Sequence, residues 1–236
     1  MQLLLIPLVV FLLTATAGQA QDTTLNKYGL WVINKPAMLK KTILHDANKA
    51  MVNCKRIPGI LIDLRYAGTN NFMNTRLYPP TKTTYLRKPV IDSLILIQNE
   101  FNKLGLVLKI FDAYRPYSVT EKMWEPVKDD RYAADPRKGS GHNRGIAVDL
   151  TLIDLKTGNE LPMGTGFDNF SDTAHHGFNL LPDPVLKNRL LLKTMMEKYG
   201  FTALPTEWWH YYMSAYSKFE LLNLSFKGLK KILQNY

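Results

Sequence analysis

The segment Ser140 to Leu150, SGHNRGIAVDL, constrains this chain more than any other. Read as a strand, GIAVDL alternates with a period of two. Ile146, Val148 and Leu150 form an apolar face, and Gly145, Ala147 and Asp149 form the other. The apolar face must be covered by a core. The other offers two small residues and then a carboxylate, which leaves space in front of Asp149. A carboxylate beside aliphatic neighbours is costly unless it is paired or bound to a metal. His142 stands just ahead, and a turn at Asn143-Arg144-Gly145 can fold its imidazole over that space. A separation of seven residues does not put the pair on one helical face. The segment alone leaves two readings open: a metal site, or Asp149 capping a loop beside a satisfied histidine.

The surrounding sequence supplies the core. Residues 60–66 (ILIDLRY) are strand-like, and 68–80 are rich in turn residues. Pro89 opens a helix in which Leu94, Ile97, Phe101 and Leu104 recur at three- and four-residue steps, and Gly105 stops it. A strand over 106–111 follows and runs into Asp112-Ala-Tyr-Arg-Pro116, so Arg115 lies on a turn at a strand end, where rigid elements display functional side chains. Ser118 to Glu121 has the spacing of a capping box and predicts a short helix starting there. Asp183-Pro184 and Gly200 bracket another helix, with Leu186, Leu190 and Tyr199 as buried candidates. The order does not repeat as βαβ units, which predicts an α+β fold: an antiparallel sheet with helices packed on one side.

Three parts are expected. Residues 1–20 carry no charge and end in small residues, as a secretory signal cleaved near Ala20 does, with an uncleaved membrane anchor as the alternative. Residues 21–55 form an N-terminal extension that wraps the domain, and 56–236 form the domain itself. The C-terminal run from Phe219 predicts a docked terminal segment in preference to a basic helix on a membrane. Cys54 is the chain's single cysteine, which excludes an internal disulfide and suits a small packed hydrophobe. The net charge of +10 is dispersed, without a nucleic-acid-binding signature, and favours anionic surfaces or substrates.

Glu207-Trp-Trp-His210 completes the argument opened by Asp149. A carboxylate and a histidine three apart can reach one point from a turn, with Trp208, Trp209, Tyr211 and Tyr212 as dry walls. Three protein ligands and an open position describe a catalytic zinc. His142, Asp149 and His210 make that set, and Glu207 is left free as a general base. HExxH is absent, so this is not a thermolysin-type helix site.

SGHNRGIAVDL, EWWHY and DAYRP together resemble the zinc D-alanyl-D-alanine dipeptidases, the VanX-type branch of the D,D-peptidase and hedgehog-like metallopeptidases. The resemblance runs from about Ile60 to the C-terminal region. It implies one zinc per chain on His142, Asp149 and His210, Glu207 as the base, and Arg115 stabilising the transition state; Asp112, three residues before Arg115, is the candidate to orient its guanidinium. It further implies Asp168, in MGTGFDNF, as the carboxylate that binds the substrate ammonium, and Tyr66 as a supporting hydroxyl. Ser140 is the candidate near the substrate carboxylate. Two positions depart from the family pattern: Gly141 stands where serine is frequent, and Ala113 where glycine is. His175-His176 is read as structural or as supporting the ligands from behind, because adjacent histidines seldom reach one ion. The implied activity is hydrolysis of D-Ala-D-Ala; with the signal segment this predicts a periplasmic or otherwise exported enzyme of cell-wall turnover or of the use of wall-derived dipeptides, with a small dipeptide as substrate and no nucleic-acid or membrane partner once the signal is removed. A zinc D,D- or L,D-carboxypeptidase acting on longer muropeptides and a non-catalytic wall-binding module are the alternatives.

Overall fold

Whether the alternation in GIAVDL is a strand decides everything around it, and in the computed structural model, which describes residues 25–233, the strand runs over Ala147–Asp154. In chain order the elements are β1 (Val32–Ile33), α1 (Pro36–His45), β2 (Met51–Asn53), β3 (Leu61–Ile62), β4 (Tyr85–Arg87) and α2 (Lys88–Lys103). Then come β5 (Leu106–Asp112), α3 (Tyr117–Val127), α4 (Gly141–Arg144), β6 (Ala147–Asp154) and α5 (Asp183–Lys198). The chain closes with β7 (Thr202–Ala203), β8 (His210–Tyr212), β9 (Leu221–Leu222) and α6 (Phe226–Leu233). The signal segment expected over 1–20 lies outside the described residues. No helix among those described is long and apolar enough to cross a membrane.

The central sheet has five strands in the order β3-β5-β6-β8-β7. It is antiparallel except at one edge, where β3 runs parallel to β5. Leu108 and Ile110 of β5 and Val148, Leu150 and Leu152 of β6 share one core with Leu94, Ile97 and Phe101 of α2 and Leu192 and Met196 of α5. Both long helices thus serve the apolar face, which leaves the Asp149 face for chemistry. Pro89 and Gly105, whose φ of +70° suits a residue without Cβ, bracket α2 as the sequence predicts.

Residues 21–55, where described, supply β1, which pairs with β9, and β2, which pairs with β4, while α1 packs against α6. Phe226, Leu229 and Ile232 of α6 join Ile33, Leu39 and Ile43 in a second core, so the C-terminal segment is docked. Cys54 is buried in the main core, and burial pushes its thiol pKa up.

Three local expectations fail for identifiable reasons. In α5 the buried positions are Val185, Arg189, Leu192 and Met196; Leu190 is 63% exposed, and Leu186 and Tyr199 are only half-buried. Arg189 takes the core-facing place because its guanidinium donates to the carbonyls of Met163, Thr173 and His175, which need donors once the loop carrying them is covered. The capping box at Ser118 does not form, since α3 starts at Tyr117 behind Pro116 and the Ser118 N–H donates to Asn223 Oδ1 at 3.0 Å. Gly145 is not part of the strand: it ends α4 at φ +71°, and a Cβ there would meet the Met51 side chain at 2.9 Å. Its smallness clears Met51 and not Asp149.

Candidate active site

Strand register assembles the site. Asp149 and His210 are direct partners across β6 and β8, so their side chains leave the sheet on the same face. Asp112 is the partner of Asp149 on the other side, across β5 and β6. The register slips between Ile110 and Asp112, a bulge without which Phe111 would face Asp149. Asp112, Asp149 and His210 therefore form a row across three adjacent strands.

His142 reaches that row from α4, a single turn capped at Ser140. The Ser140 side chain accepts from the His142 N–H, and Asn143 Oδ1 accepts from the Ser140 N–H at 2.9 Å, a reciprocal box. Asn143, fully buried, also donates to the Arg115 carbonyl at 2.9 Å and to Thr120 Oγ1 at 2.8 Å, and the Arg115 N–H donates to the His142 carbonyl. The turn bearing Arg115 and the turn bearing His142 are thereby one unit. Gly141 has a packing reason: a Cβ there would lie 2.9 Å from the Ala147 Cβ, so the serine frequent at this place would force a shift.

His142 Nε2 lies 3.2 Å from His210 Nδ1, which lies 2.9 Å from Asp149 Oδ1, and Asp149 Oδ2 is 3.4 Å from His142 Nε2. The three residues offer ligand atoms all within 4.8 Å of one another. His142 Nδ1 is 2.7 Å from the Ala113 carbonyl oxygen, to which it donates, so Nε2 is the ring nitrogen turned toward Asp149 and His210. Two imidazole nitrogens and a carboxylate converging in a buried place suit a cation with nitrogen and oxygen ligands, zinc among them. Burial works against ionised Asp149, but the two histidines outweigh it and hold its pKa below the ordinary carboxylate range.

The other predicted residues surround this set. The Glu207 carboxylate is 4.0 Å from His210 Nδ1, and burial pushes its pKa up to about 7. Arg115 Nε and Nη2 donate to Asp112 Oδ2 at 3.1 and 2.9 Å, and its guanidinium lies over the Tyr66 ring at 5.2 Å. Burial opposes the charge on Arg115, yet Asp112 with its neighbours holds the pKa above that of an ordinary arginine. Tyr66 Oη donates to Asp168 Oδ1 at 2.9 Å, the Phe72 N–H donates to Asp168 Oδ2 at 3.0 Å, and burial raises the Asp168 pKa to about 7. Tyr66, Arg115, Ser140, His142, Asp149, Asp168, Glu207 and His210 all line one cavity of about 430 Å³. Trp209 and Tyr212 form part of its wall, whereas Trp208 and Tyr211 are buried outside that lining.

Sequence reasoning missed Asn143 and Tyr78, whose Oη donates to Asp112 Oδ1 at 2.8 Å and fixes the carboxylate that orients Arg115. The S-x-x-N spacing at Ser140 was a readable signal for Asn143. Nothing local to Tyr78 marks it. His175 and His176 lie outside the cavity lining, and neither belongs to the convergent group of His142, Asp149 and His210.

A His, Asp, His set open to a cleft, with Glu207 and a buried arginine beside it on a mainly antiparallel sheet, fits a metallopeptidase. A family model described as D-ala-D-ala dipeptidase matches residues 46–221. The chain belongs to that family. It is 36% identical over 165 residues to the D-alanyl-D-alanine dipeptidase of Escherichia coli (strain K12), covering 70% of this chain and 84% of the relative. To that of Enterococcus faecium it is 32% identical over 177 residues, covering 66% and 86%. Among solved structures it is similar to an LD-carboxypeptidase, LdcB, at a TM-score of 0.39 and 19% identity over 78% of this chain and 72% of that one.

Proposed function

We propose that the protein is an exported zinc dipeptidase that hydrolyses D-alanyl-D-alanine to two D-alanines in cell-wall turnover. The observation that carries this is the convergence of His142, Asp149 and His210 within 4.8 Å, in a cavity that also holds Glu207, Arg115 and Asp168. Relatives that bear the dipeptidase name match most of their length to this chain.

A dipeptide carries an ammonium at one end and a carboxylate at the other. Asp168, braced by Tyr66 and the Phe72 N–H, receives the ammonium. His142, Asp149 and His210 would hold one zinc, and a zinc there would supply Lewis acidity for the scissile carbonyl and bring water within reach of ionisation near neutral pH. Glu207, 4.0 Å from His210 Nδ1, takes the proton of the attacking water on its carboxylate and returns it to the departing nitrogen. Arg115, fixed by Asp112, holds positive charge where the carbonyl oxygen becomes anionic, an arrangement that costs no reorganisation during the reaction. Ser140 lines the same cavity while capping α4, and its hydroxyl serves the substrate carboxylate.

Glu207 and Arg115 support catalysis over a wall-binding module, because holding zinc needs neither. The reading is tested with zinc-loaded protein on D,D, L,D and L,L dipeptides, with and without chelator. D-alanine release from D-Ala-D-Ala that chelator abolishes is expected. Hydrolysis of no dipeptide would favour the binding module, and faster release from an acylated peptide would favour a carboxypeptidase.

A further inference from the structure

Four aromatic side chains run in a row along the lining of the cleft, and the roles given so far use only the first of them. Tyr66 meets Phe72 edge-on with centroids 6.2 Å apart, Phe72 meets Phe170 at 5.2 Å, and Phe170 meets Tyr132 at 4.9 Å. All four line the cavity. The row starts at buried Tyr66 after β3 and ends at Tyr132, in the segment between α3 and α4. Phe170 is the ring that joins the two sides.

The row is fixed to Asp168 at two points, because the Tyr66 hydroxyl and the Phe72 N–H both end on its carboxylate. Asp168 has φ +60°, the left-handed region that L-residues other than Asn and Asp seldom adopt. That turn of the backbone lets its side chain face Tyr66 while Phe170, two residues on, reaches between Phe72 and Tyr132. A substrate whose scissile carbonyl faces His142 and His210 and whose ammonium rests on Asp168 has that nitrogen at the carboxylate to which Tyr66 and Phe72 are bound.

We propose that Phe170, held between Phe72 and Tyr132, closes the cleft beyond Asp168 and thereby limits the enzyme to substrates with a free amino terminus. The proposal rests on the dipeptidase reading and assigns its chain-length selection to a residue. Two barriers then face an acylated substrate. Its amide nitrogen carries no charge for Asp168, and its acyl group must occupy the space of the Phe170 ring. Removing the ring lifts the second barrier and leaves the first.

The test compares kcat/KM for D-Ala-D-Ala and N-acetyl-D-Ala-D-Ala in the zinc-loaded wild type, Phe170→Ala and Tyr132→Ala. The ratio of the two values cancels any general loss of activity, and Tyr132→Ala opens the wall from the other side if Phe170→Ala folds poorly. The acetylated-to-free ratio is expected to rise roughly tenfold or more in Phe170→Ala, the scale on which pocket shape discriminates, and by less in Tyr132→Ala. If the wild type cleaves the free dipeptide and neither variant changes the ratio, Phe170 does not set the limit. If the wild type cleaves no free dipeptide, the dipeptidase reading fails first and takes this assignment with it.

Discussion

Strand β8 sends neighbouring side chains to opposite faces, and each face carries a histidine environment. His210 points to Asp149 and His142, with ring nitrogens and carboxylate oxygens 2.9 to 3.4 Å apart. Tyr211 points the other way and meets the His176 ring at 6.0 Å. There the Nε2 of His176 and the hydroxyl of Tyr211 are both buried without a hydrogen-bond partner among the described residues, and burial lowers the His176 pKa to about 4. Both faces bury imidazole. Among the described residues, only the His210 face brings a carboxylate and a second imidazole within 3.2 Å of it, through the pairing of Asp149 with His210 and the cap at Ser140. Convergence from separate elements, and not adjacency in the chain, distinguishes a candidate ligand from a packed histidine.

The largest effect expected from attacking this contrast is that of His210→Ala. It leaves two of three ligands, so zinc measured by elemental analysis should fall from one per chain toward zero and dipeptide hydrolysis to background. Arg115→Ala should keep the metal and lower kcat by about 10²–10³-fold, the cost of removing one preorganised oxyanion donor; steady-state kinetics with metal analysis would separate this from ligand loss. On the other face, His175→Ala with His176→Ala should leave one zinc per chain, and loss of the metal would contradict the contrast outright. The smallest expected effect is on acid stability. His176 is buried neutral with a pKa depressed from 6.5 to about 4, so its contribution is fully present above pH 6.5 and is lost as pH falls toward 4. Over that range, the thermal midpoint of His176→Phe should shift in the variant's favour relative to wild type.

The site was legible where chemistry and period coincide in the sequence. A carboxylate on an alternating strand, a histidine ahead of it and EWWH later are enough to name His142, Asp149, Glu207 and His210 before any coordinates. What was hidden depends on register and on contacts between distant segments. The bulge after Ile110 turns Asp112 toward Asp149, and alternation alone would have turned Phe111 there. Tyr78 reaches Asp112 across 34 residues, with no local pattern to announce it. Gly145 was small for the sake of Met51, a neighbour supplied by β2. Of the helices, α2 was legible because its apolar positions recur and Pro89 and Gly105 bound it. The face of α5 was not, because Arg189 occupies a place that hydrophobic periodicity gives to leucine.

The central claim is that three residues hold the metal while Glu207, beside them, moves the proton. Glu207→Gln keeps the shape and removes the base, so zinc content and D-alanine release measured on the same preparation test it directly. The account predicts one zinc per chain, with kcat reduced by about 10²–10⁴-fold. Near-normal turnover, or loss of the zinc itself, would contradict it.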